Sequence, residues 1–298
     1  MTSFNDFGLA EPIIRALAEE KYLTPTPIQA QTIPLALQGR DVIGIAQTGT
    51  GKTAAFALPI LHHLHTKRLR PDKKACRVLV LSPTRELSGQ IADSFRAYGR
   101  HIRPLAIELA IGGVPINRQV RGLSHGVEVL VATPGRLLDL VNQRALRLDQ
   151  VEVLVLDEAD RMLDMGFIHD IKRVIKLLPA QRQNLMFSAT YTPDIRVLAS
   201  RILVKPVQVE VTPPNSTVEK VVQRAFRVAK DDKRHLLVHL FQNGANGEGR
   251  WHQALVFTRT KHGANRLSQQ LERAGIRSAA IHGNKSQAAR TKALADFK

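Results

Sequence analysis

Residues 42–53 read VIGIAQTGTGKT, an apolar run that passes into a glycine-rich segment. The apolar run predicts a buried strand, and the apolar stretch 54–64 that follows the segment predicts a helix. A strand, a glycine loop and a helix in this order are the context of a phosphate-binding P-loop. Glycines let backbone N–H groups turn toward a phosphate, and the helix N-terminus adds a positive field. The segment is predicted to bind a nucleotide through Ala46, Gln47, Thr48, Gly49, Thr50, Gly51, Lys52 and Thr53.

Two side chains of this segment have specific predicted roles. Lys52 is a candidate catalytic residue that reaches the β- and γ-phosphates, and the Thr53 hydroxyl is a candidate ligand of Mg²⁺. The general P-loop pattern begins with glycine, whereas Ala46 stands at that position here. The alternative interpretation is a structural glycine turn, which the strand–loop–helix context disfavours.

A second motif, VLVLDEAD at 153–160, is a buried-strand pattern that ends in carboxylates. Metal–nucleotide chemistry needs acidic side chains at the carboxyl end of a parallel strand. Asp157 is a candidate ligand of Mg²⁺, partly through water, and Glu158 is a candidate base that orients and deprotonates the attacking water. An acidic strand end alone is often a helix N-cap. Together with the P-loop upstream, the pair favours nucleotide hydrolysis.

The apolar runs of the sequence are short, rich in Val, Ile and Leu, and show little polar alternation. Such runs predict strands that are buried on both faces, which is typical of a parallel sheet. Stretches of helical period lie between them, and right-handed crossovers place helices on both faces of such a sheet. The sequence therefore predicts an α/β fold. The strands predicted in the first part of the chain are 42–46, 78–82, 105–111, 127–132, 153–157 and 185–188.

Composition excludes several classes of protein. The chain has 298 residues, of which 44% are hydrophobic and 23% charged, and these values exclude a disordered chain. No apolar run approaches the roughly 20 residues of a membrane span. The start of the sequence has no signal-peptide pattern, and the single Cys76 cannot form an internal disulfide. We therefore expect a cytoplasmic protein with no membrane partner.

A proline-rich interruption divides the chain. Lys205-Pro206 and the segment 212–216 break the alternation of strands and helices. We expect a first domain at 1–206, a linker at 207–217 and a second, partial domain at 218–298. The strands expected in the second domain are 221–228, 254–257 and 278–281.

Three motifs occur in a fixed order: the P-loop segment 46–53, the acidic box 157–160 and Ser188-Ala189-Thr190. Together they resemble the DEAD-box ATP-dependent RNA helicases, and the residues around them resemble the bacterial RhlE-like subgroup. The resemblance covers residues 4–298. It implies two RecA-like P-loop NTPase domains, ATP and Mg²⁺ as cofactors, RNA as the partner, and local duplex unwinding coupled to ATP hydrolysis. It names no protein partner.

The resemblance implies roles for further residues. Residues 22–29, YLTPTPIQ, resemble the family's Q motif, in which Gln29 hydrogen-bonds the adenine edge and Phe4 stacks on its ring. The coupling of nucleotide state to RNA binding is implied for Ser188, Ala189 and Thr190, through hydrogen bonds to Asp160. The Q motif and Ser188-Ala189-Thr190 disfavour the alternative of a DNA-directed motor with the same P-loop core.

The RNA-binding residues are also implied by the resemblance. In the first domain three motifs each follow a strand and precede a helix, so helix N-termini and exposed N–H groups meet phosphates, and two arginines add charge. Without the resemblance, the same strings are ordinary caps and turns. The implied RNA contacts are Pro83, Thr84, Arg85, Gly112, Gly113, Thr133, Pro134, Gly135 and Arg136 in the first domain, and Arg259 and Gly283 in the second.

The net charge of +17 agrees with a phosphate-polymer partner, although anionic membrane surfaces favour the same sign. The segment 67–77 carries six basic residues in eleven positions. It is either a solvated loop between a helix and a strand or a direct RNA contact, and the sequence leaves both interpretations open.

The family has two later motifs that lie beyond Lys298, and the last of them supplies arginines that stabilise charge on the γ-phosphate. We therefore expect a truncated second RecA-like domain, ATP affinity that survives in the first domain, and severely impaired RNA-stimulated turnover. The alternative to a helicase is a non-unwinding module that binds ATP and RNA.

Overall fold

The computed structural model of the chain describes residues 3–211, 222–245 and 249–297. The chain divides into two units, Met1–Pro214 and Asn215–Lys298. None of the helices in the described ranges is long and apolar enough to cross a membrane.

The first unit is built on one seven-stranded sheet in which every pairing is parallel. The spatial order is β3-β4-β2-β5-β6-β1-β7. This confirms the predicted α/β fold with a parallel sheet. The strands are β1 Val42–Ile45, β2 Cys76–Leu81, β3 Ile107–Ala110, β4 Val127–Ala132, β5 Val153–Leu156, β6 Gln183–Ser188 and β7 Val207–Glu210.

Helices connect the strands of the first unit, and a 3₁₀ turn at Phe4–Phe7 precedes them. Several begin with threonine as N-cap and proline at the first helical position, as at Thr26-Pro27 and Thr133-Pro134, since the fixed φ of proline suits a helix start. The helices are α1 Glu11–Glu19, α2 Pro27–Leu37, α3 Lys52–Thr66, α4 Arg85–Tyr98, α5 Ile116–Leu123, α6 Pro134–Asn142, α7 Ala159–Asp164, α8 Ile168–Ile175 and α9 Pro193–Ile202.

The sheet is buried on both faces by two apolar layers. In one layer Phe56 of α3 packs between Phe95 and Phe187, with ring centroids 6.2 and 5.3 Å apart. In the other, Leu154 and Leu156 of β5 pack with helical side chains such as Met162. Since the central strands have no solvent face, their sequence shows apolar runs without alternation.

The structure corrects the start of the predicted linker. Val207–Glu210 forms β7 and pairs with β1 in the register Val42↔Val207 to Ile45↔Glu210. Pro206 interrupts the pattern because proline cannot donate to the sheet, yet it lies just before the strand, where this costs nothing. The sheet of the first unit therefore extends to Glu210, and the predicted linker positions 212–217 lie outside the described residues.

The second unit contains three helices among its described residues: α10 Lys233–Asn243, α11 Lys261–Arg273 and α12 Gln287–Phe297. The predicted strands 221–228, 254–257 and 278–281 are wrong over their described residues, because no strand is present in residues 222–245 and 249–297, and residue 221 lies outside the described part of the chain. A strand requires a ladder of backbone hydrogen bonds to a neighbouring strand, and no strand pairing involves the described residues of these segments. Phe257, for example, is 88% exposed.

Candidate active site

The predicted catalytic motifs meet at the carboxyl ends of three neighbouring strands. The glycine loop follows β1, Ser188 ends β6, and Asp157 follows β5, and these strands are adjacent in the order β5-β6-β1. The Ala46 N–H donates to the Ser188 carbonyl at 3.0 Å, and the Asp157 N–H donates to the Leu81 carbonyl at 2.9 Å. Adjacent parallel strands thus bring residues from distant parts of the chain to one edge of the sheet.

The glycine loop turns back on itself before α3. Gly49 and Gly51 have φ of +83° and +93°, values that a side chain strongly disfavours. The Lys52 ammonium donates to the Ala46 carbonyl at 2.9 Å, and the residue is 6% exposed. Gln47, Thr48 and Gly49 are exposed. The loop therefore holds Lys52 in place while its outer backbone stays open to a ligand.

Gln29 lies against the glycine loop, at 1% exposure. Its Oε1 accepts from the Thr26 N–H at 2.9 Å and its Nε2 donates to the Gly51 carbonyl at 3.0 Å. A Cβ built on Gly51 would clash with Nε2. The structure thus joins the helix α2 to the P-loop through Gln29, a contact that sequence spacing does not reveal, and the adenine contact stays a prediction.

Phe4, the predicted stacking residue, is 3% exposed. Its ring packs edge-on against Phe7 at 6.0 Å between centroids and belongs to the apolar layer that contains Ile13 and Leu17. The ring offers no open face to a base in this arrangement, so stacking on adenine stays a prediction that requires the ring to turn outward.

The acidic box lies beside Lys52. Asp157 is 2% exposed, and its Oδ1 accepts from the Glu158 N–H at 3.0 Å. The pKa of Asp157 is raised from 3.8 to about 6, chiefly by burial and also by the negative charges of Glu158 and Asp160, while the charge of Lys52 opposes the shift. The strand end therefore concentrates negative charge that a cation would stabilise.

Glu158 sits at the junction of β5 and α7 with a left-handed φ of +51°. Its Oε2 accepts from Arg161 Nη1 at 3.3 Å. Arg161 belongs to no predicted site, although its i, i+3 spacing from Glu158 on the following helix is a recognisable signal of an ion pair.

Asp160 is hydrogen-bonded to the segment after β6. Its Oδ2 accepts from the Ala189 N–H at 3.2 Å, from the Thr190 N–H at 3.1 Å and from the Thr190 hydroxyl at 3.2 Å. The Thr190 N–H also lies 3.3 Å from Ser188 Oγ. The predicted hydrogen bonds between Asp160 and Ser188-Ala189-Thr190 are therefore present, while the coupling role stays a prediction.

The residues at this edge fit Mg²⁺. Asp157 supplies a buried carboxylate, and Thr53 supplies a half-buried hydroxyl next to Lys52. The described residues contain no group of three or more His, Cys, Asp or Glu arranged for a metal. Mg²⁺ does not need such a group, since it is usually held by one or two carboxylates together with waters and substrate phosphates.

The implied RNA contacts of the first unit also meet at strand ends, after β2, β3 and β4. The Arg85 guanidinium lies against Gly112 and Gly113, so closely that a Cβ on Gly113 would clash with it. Gly113 has φ of +78°. Arg136 Nη1 donates to the Val114 carbonyl at 3.2 Å. Both arginines are thus gathered around the glycine pair.

The other implied contacts of this group lie at helix starts. Thr84 caps α4 by accepting from the Leu87 N–H at 3.3 Å. Thr133 and Pro134 are buried at the start of α6, Gly135 beside them is exposed, and Pro83 is buried. A ligand can therefore reach the backbone at Gly135, whereas the side chains of Pro83 and Pro134 serve packing.

In the second unit, Arg259 and Gly283 are both exposed on loops. Lys261 Nζ donates to Asn284 Oδ1 at 2.9 Å, which ties the residues after Arg259 to those after Gly283. Thr260 caps α11 by accepting from the Gly263 N–H at 3.0 Å. The two implied contacts therefore lie on adjoining loops.

Comparison with known families decides what this arrangement belongs to. The sequence model described as "DEAD/DEAH box helicase" matches residues 26–198, and the one described as "Helicase conserved C-terminal domain" matches residues 232–298. The chain belongs to the DEAD/DEAH box helicase family. The family match spans α2, the P-loop, the acidic box and the Ser188-Ala189-Thr190 segment, so the DEAD-box resemblance is confirmed.

Relatives of this DEAD-box protein align along the whole chain. It is 41% identical over 300 residues to the ATP-dependent RNA helicase CshA of Listeria monocytogenes, covering 100% of this chain and 55% of the relative. It is 41% identical to CshA of Geobacillus kaustophilus, covering 62% of it, and 39% identical to RhpA of Helicobacter pylori, covering 58%. The chain thus spans little more than half the length of these relatives. The RhlE-like subgroup stays a prediction.

A solved structure has the same fold. The DEAD box protein of the hyperthermophile Methanococcus jannaschii superposes with a TM-score of 0.65 at 31% sequence identity, covering 100% of this chain and 77% of that one. This supports the RecA-like assignment of the fold.

Proposed function

We propose that this DEAD-box protein is an ATP-dependent RNA helicase that couples ATP hydrolysis to RNA binding and local duplex unwinding. The observation that carries the proposal is one edge of the sheet: Lys52 in a turned glycine loop, Asp157 and Glu158 at the next strand but one, and Asp160 hydrogen-bonded to Thr190 between them. The printed names of the relatives, which describe ATP-dependent RNA helicases, support it.

The glycine loop binds the triphosphate of ATP. The exposed backbone of Gln47 to Gly49 presents N–H groups, and the start of α3 adds the positive end of a helix dipole. Lys52 exchanges its bond to the Ala46 carbonyl for a phosphate oxygen, which replaces a neutral acceptor of the ammonium by an anionic one. Gln29 holds Gly51 and so keeps the loop turned for this contact.

Glu158 takes the proton from the water that attacks the γ-phosphate. The exposed Arg161 side chain donates to Glu158 Oε2 at 3.3 Å, which leaves Oε1 as the oxygen that accepts the proton. Asp157 and Thr53 would hold Mg²⁺, which when bound supplies positive charge that neutralises the phosphate oxygens. That charge would also stabilise the ionised form of the Asp157 carboxyl, which burial alone disfavours.

RNA binds at the neighbouring strand ends. Arg85 and Arg136 contact backbone phosphates, and the exposed N–H groups near Gly113 and Gly135 add donors that carry little sequence information. Asp160 connects the acidic box to the segment after β6, so a shift of Glu158 on nucleotide binding is transmitted to Thr190. We further propose a cytoplasmic location, which the single buried Cys76 supports.

The test is ATP turnover with and without single-stranded RNA, together with duplex unwinding. In place of the severely impaired turnover expected from the sequence, the proposal predicts turnover that RNA stimulates. Glu158→Gln should lower kcat by about 10²–10⁴ while ATP still binds, because only the base is removed. The matched control is Glu11→Gln, an exposed carboxylate at the start of α1, which should leave turnover unchanged.

The alternative, a non-unwinding binding module, is not favoured, because matches to helicases run along the whole chain. It predicts ATP binding with no stimulation of turnover by RNA. Stimulation of equal size by DNA would instead indicate the DNA-directed motor.

A further inference from the structure

The first unit carries a second basic surface, on the side of the sheet where the strands begin. A cavity of about 650 Å³ opens between the end of α4 and the loop that leads into β3. Its floor includes the apolar side chains of Ile102 and Leu105. We name this surface the arginine cleft and define it by the four guanidinium side chains on its rim: Arg70, Arg96, Arg100 and Arg103.

The arginine cleft is distinct from the RNA contacts proposed above. Arg85 begins α4 and Arg96 lies near its end, which separates them by about 16 Å at 1.5 Å per residue. Likewise Ile107, where β3 begins, borders the cleft, whereas Gly112 and Gly113 follow the end of that strand. Two elements therefore run from one basic surface to the other.

Two of the four arginines are anchored by the protein. Arg96 donates to Asp93 Oδ1 at 2.9 Å and to the Ile107 carbonyl at 3.3 Å. Arg100 donates to Glu19 Oε2 at 3.2 Å and also contacts Glu20. These carboxylates offset their charge, but each guanidinium has five N–H donors and keeps some free for a ligand.

Arg70 and Arg103 differ from this pair. Both are exposed, and neither has a hydrogen bond or ion pair to any residue in the described ranges. Arg70 belongs to the basic segment 67–77, for which the sequence favours a solvated loop and leaves an RNA contact as the alternative. The fold thus places the uncompensated charges of this segment and of Arg103 on the rim of one concave surface.

We propose that the arginine cleft binds the sugar–phosphate backbone of single-stranded RNA, as a second contact region that extends the RNA path along α4. Planar guanidinium groups match phosphate oxygens, and the apolar floor accepts the face of a base. An acidic protein offers similar charges, but the continuity of the cleft with Arg85 through α4 favours RNA. This inference rests on the RNA-binding function proposed above.

The experiment measures direct binding of a fluorescent 20-nucleotide single-stranded RNA to the full chain at several salt concentrations, without ATP. The test variant is Arg70→Gln with Arg103→Gln, which removes no hydrogen bond or ion pair within the described residues. It should weaken binding about tenfold at low salt and reduce the slope of log Kd against log salt by about 1.4, since each single-strand phosphate contact contributes about 0.7.

The matched control is Arg40→Gln with Arg201→Gln, two exposed arginines next to β1 and in α9 that change the net charge equally. It should change Kd less than twofold. The proposal is overturned if both pairs weaken binding equally, if neither does, or if polyglutamate binds as tightly as RNA through Arg70 and Arg103. The binding assay contains no ATP, so it is independent of the turnover assay described above. If RNA fails to stimulate ATP turnover, the proposed helicase function is refuted, while the binding assay still decides whether the arginine cleft contacts RNA.

Discussion

At the scale of single residues, the fold disfavours the ionised form of the Asp157 carboxyl. Burial raises the pKa of this carboxyl to about 6, whereas in the unfolded chain it ionises near 3.8. Between these values the folded protein binds the additional proton, so the free energy of unfolding falls as pH rises from about 4 to about 6. Because the pKa of Asp157 differs by roughly two between the folded and unfolded chain, its ionisation lowers the free energy of unfolding by about 3 kcal/mol at neutral pH.

Asp157→Asn should therefore raise the stability of the nucleotide-free protein. The neutral amide removes the buried charge, and we expect a gain of about 1–3 kcal/mol at pH 8 that shrinks to nothing near pH 4. Denaturant unfolding across this pH range measures it. The control Asp160→Asn should lose stability instead, because its carboxylate accepts three hydrogen bonds from Ala189 and Thr190. Equal or lower stability of Asp157→Asn at pH 8 would show that Lys52 outweighs burial.

At the scale of elements, an ion pair ties β2 to the start of β5 at the end of the sheet away from the active site. The Glu152 carboxylate accepts from Arg77 Nε at 2.5 Å and from Arg77 Nη2 at 3.2 Å, and His63 of α3 lies 2.7 Å from it. Partial burial opposes ionisation, but the hydrogen bonds from His63 and Arg77 lower the pKa of Glu152 to about 2. The pair contributes stability above pH 4.5 that is lost as pH falls toward 2.

Glu152→Gln should weaken this connection. Because Arg77 is buried and would keep an unpaired charge, the free energy of unfolding should fall by about 2–3 kcal/mol at pH 7. The difference in unfolding free energy between the variant and the unaltered protein should narrow as pH falls from about 4.5 toward 2, because in this range the unfolded chain binds a proton at Glu152 that the native carboxylate does not. Chemical unfolding at pH 7 and pH 3 gives both values. If the loss of unfolding free energy in Glu152→Gln is the same at both pH values, side-chain packing and not charge stabilises this connection.

The elements also show what sequence can predict. The central strands, the P-loop and the acidic box were predicted because each is encoded by contiguous residues: an apolar run, a glycine spacing, or carboxylates directly after β5. Edge strand β7 was missed, because a proline before a short segment is typical of a linker, and only the pairing with β1 shows that this segment is a strand. The contact of Gln29 with Gly51 was missed for the same reason, since it joins residues 22 positions apart.

At the scale of the whole molecule, charge and topology act together. A parallel sheet collects the residues that follow its strands at its carboxyl edge, so the proposed nucleotide residues follow β1, β5 and β6 while the proposed RNA residues follow β2, β3 and β4. The net charge of +17 favours RNA along the whole surface, but only the fold shows that Arg70 and Arg103 share one cleft. Sequence alone could not place them together, because long-range packing decides which basic residues become neighbours.

The central claim is that the glycine loop and Lys52 bind a nucleotide triphosphate beside Asp157 and Glu158. The most direct test is calorimetric ATP binding to the native protein, to Lys52→Ala and to the exposed control Lys176→Ala, with thermal unfolding used to verify that each variant is folded. Removing the ammonium deletes charge-assisted bonds of about 1.5–3 kcal/mol, so Lys52→Ala should weaken ATP binding at least tenfold while Lys176→Ala does not. A folded Lys52→Ala variant that binds ATP with native affinity would contradict the account.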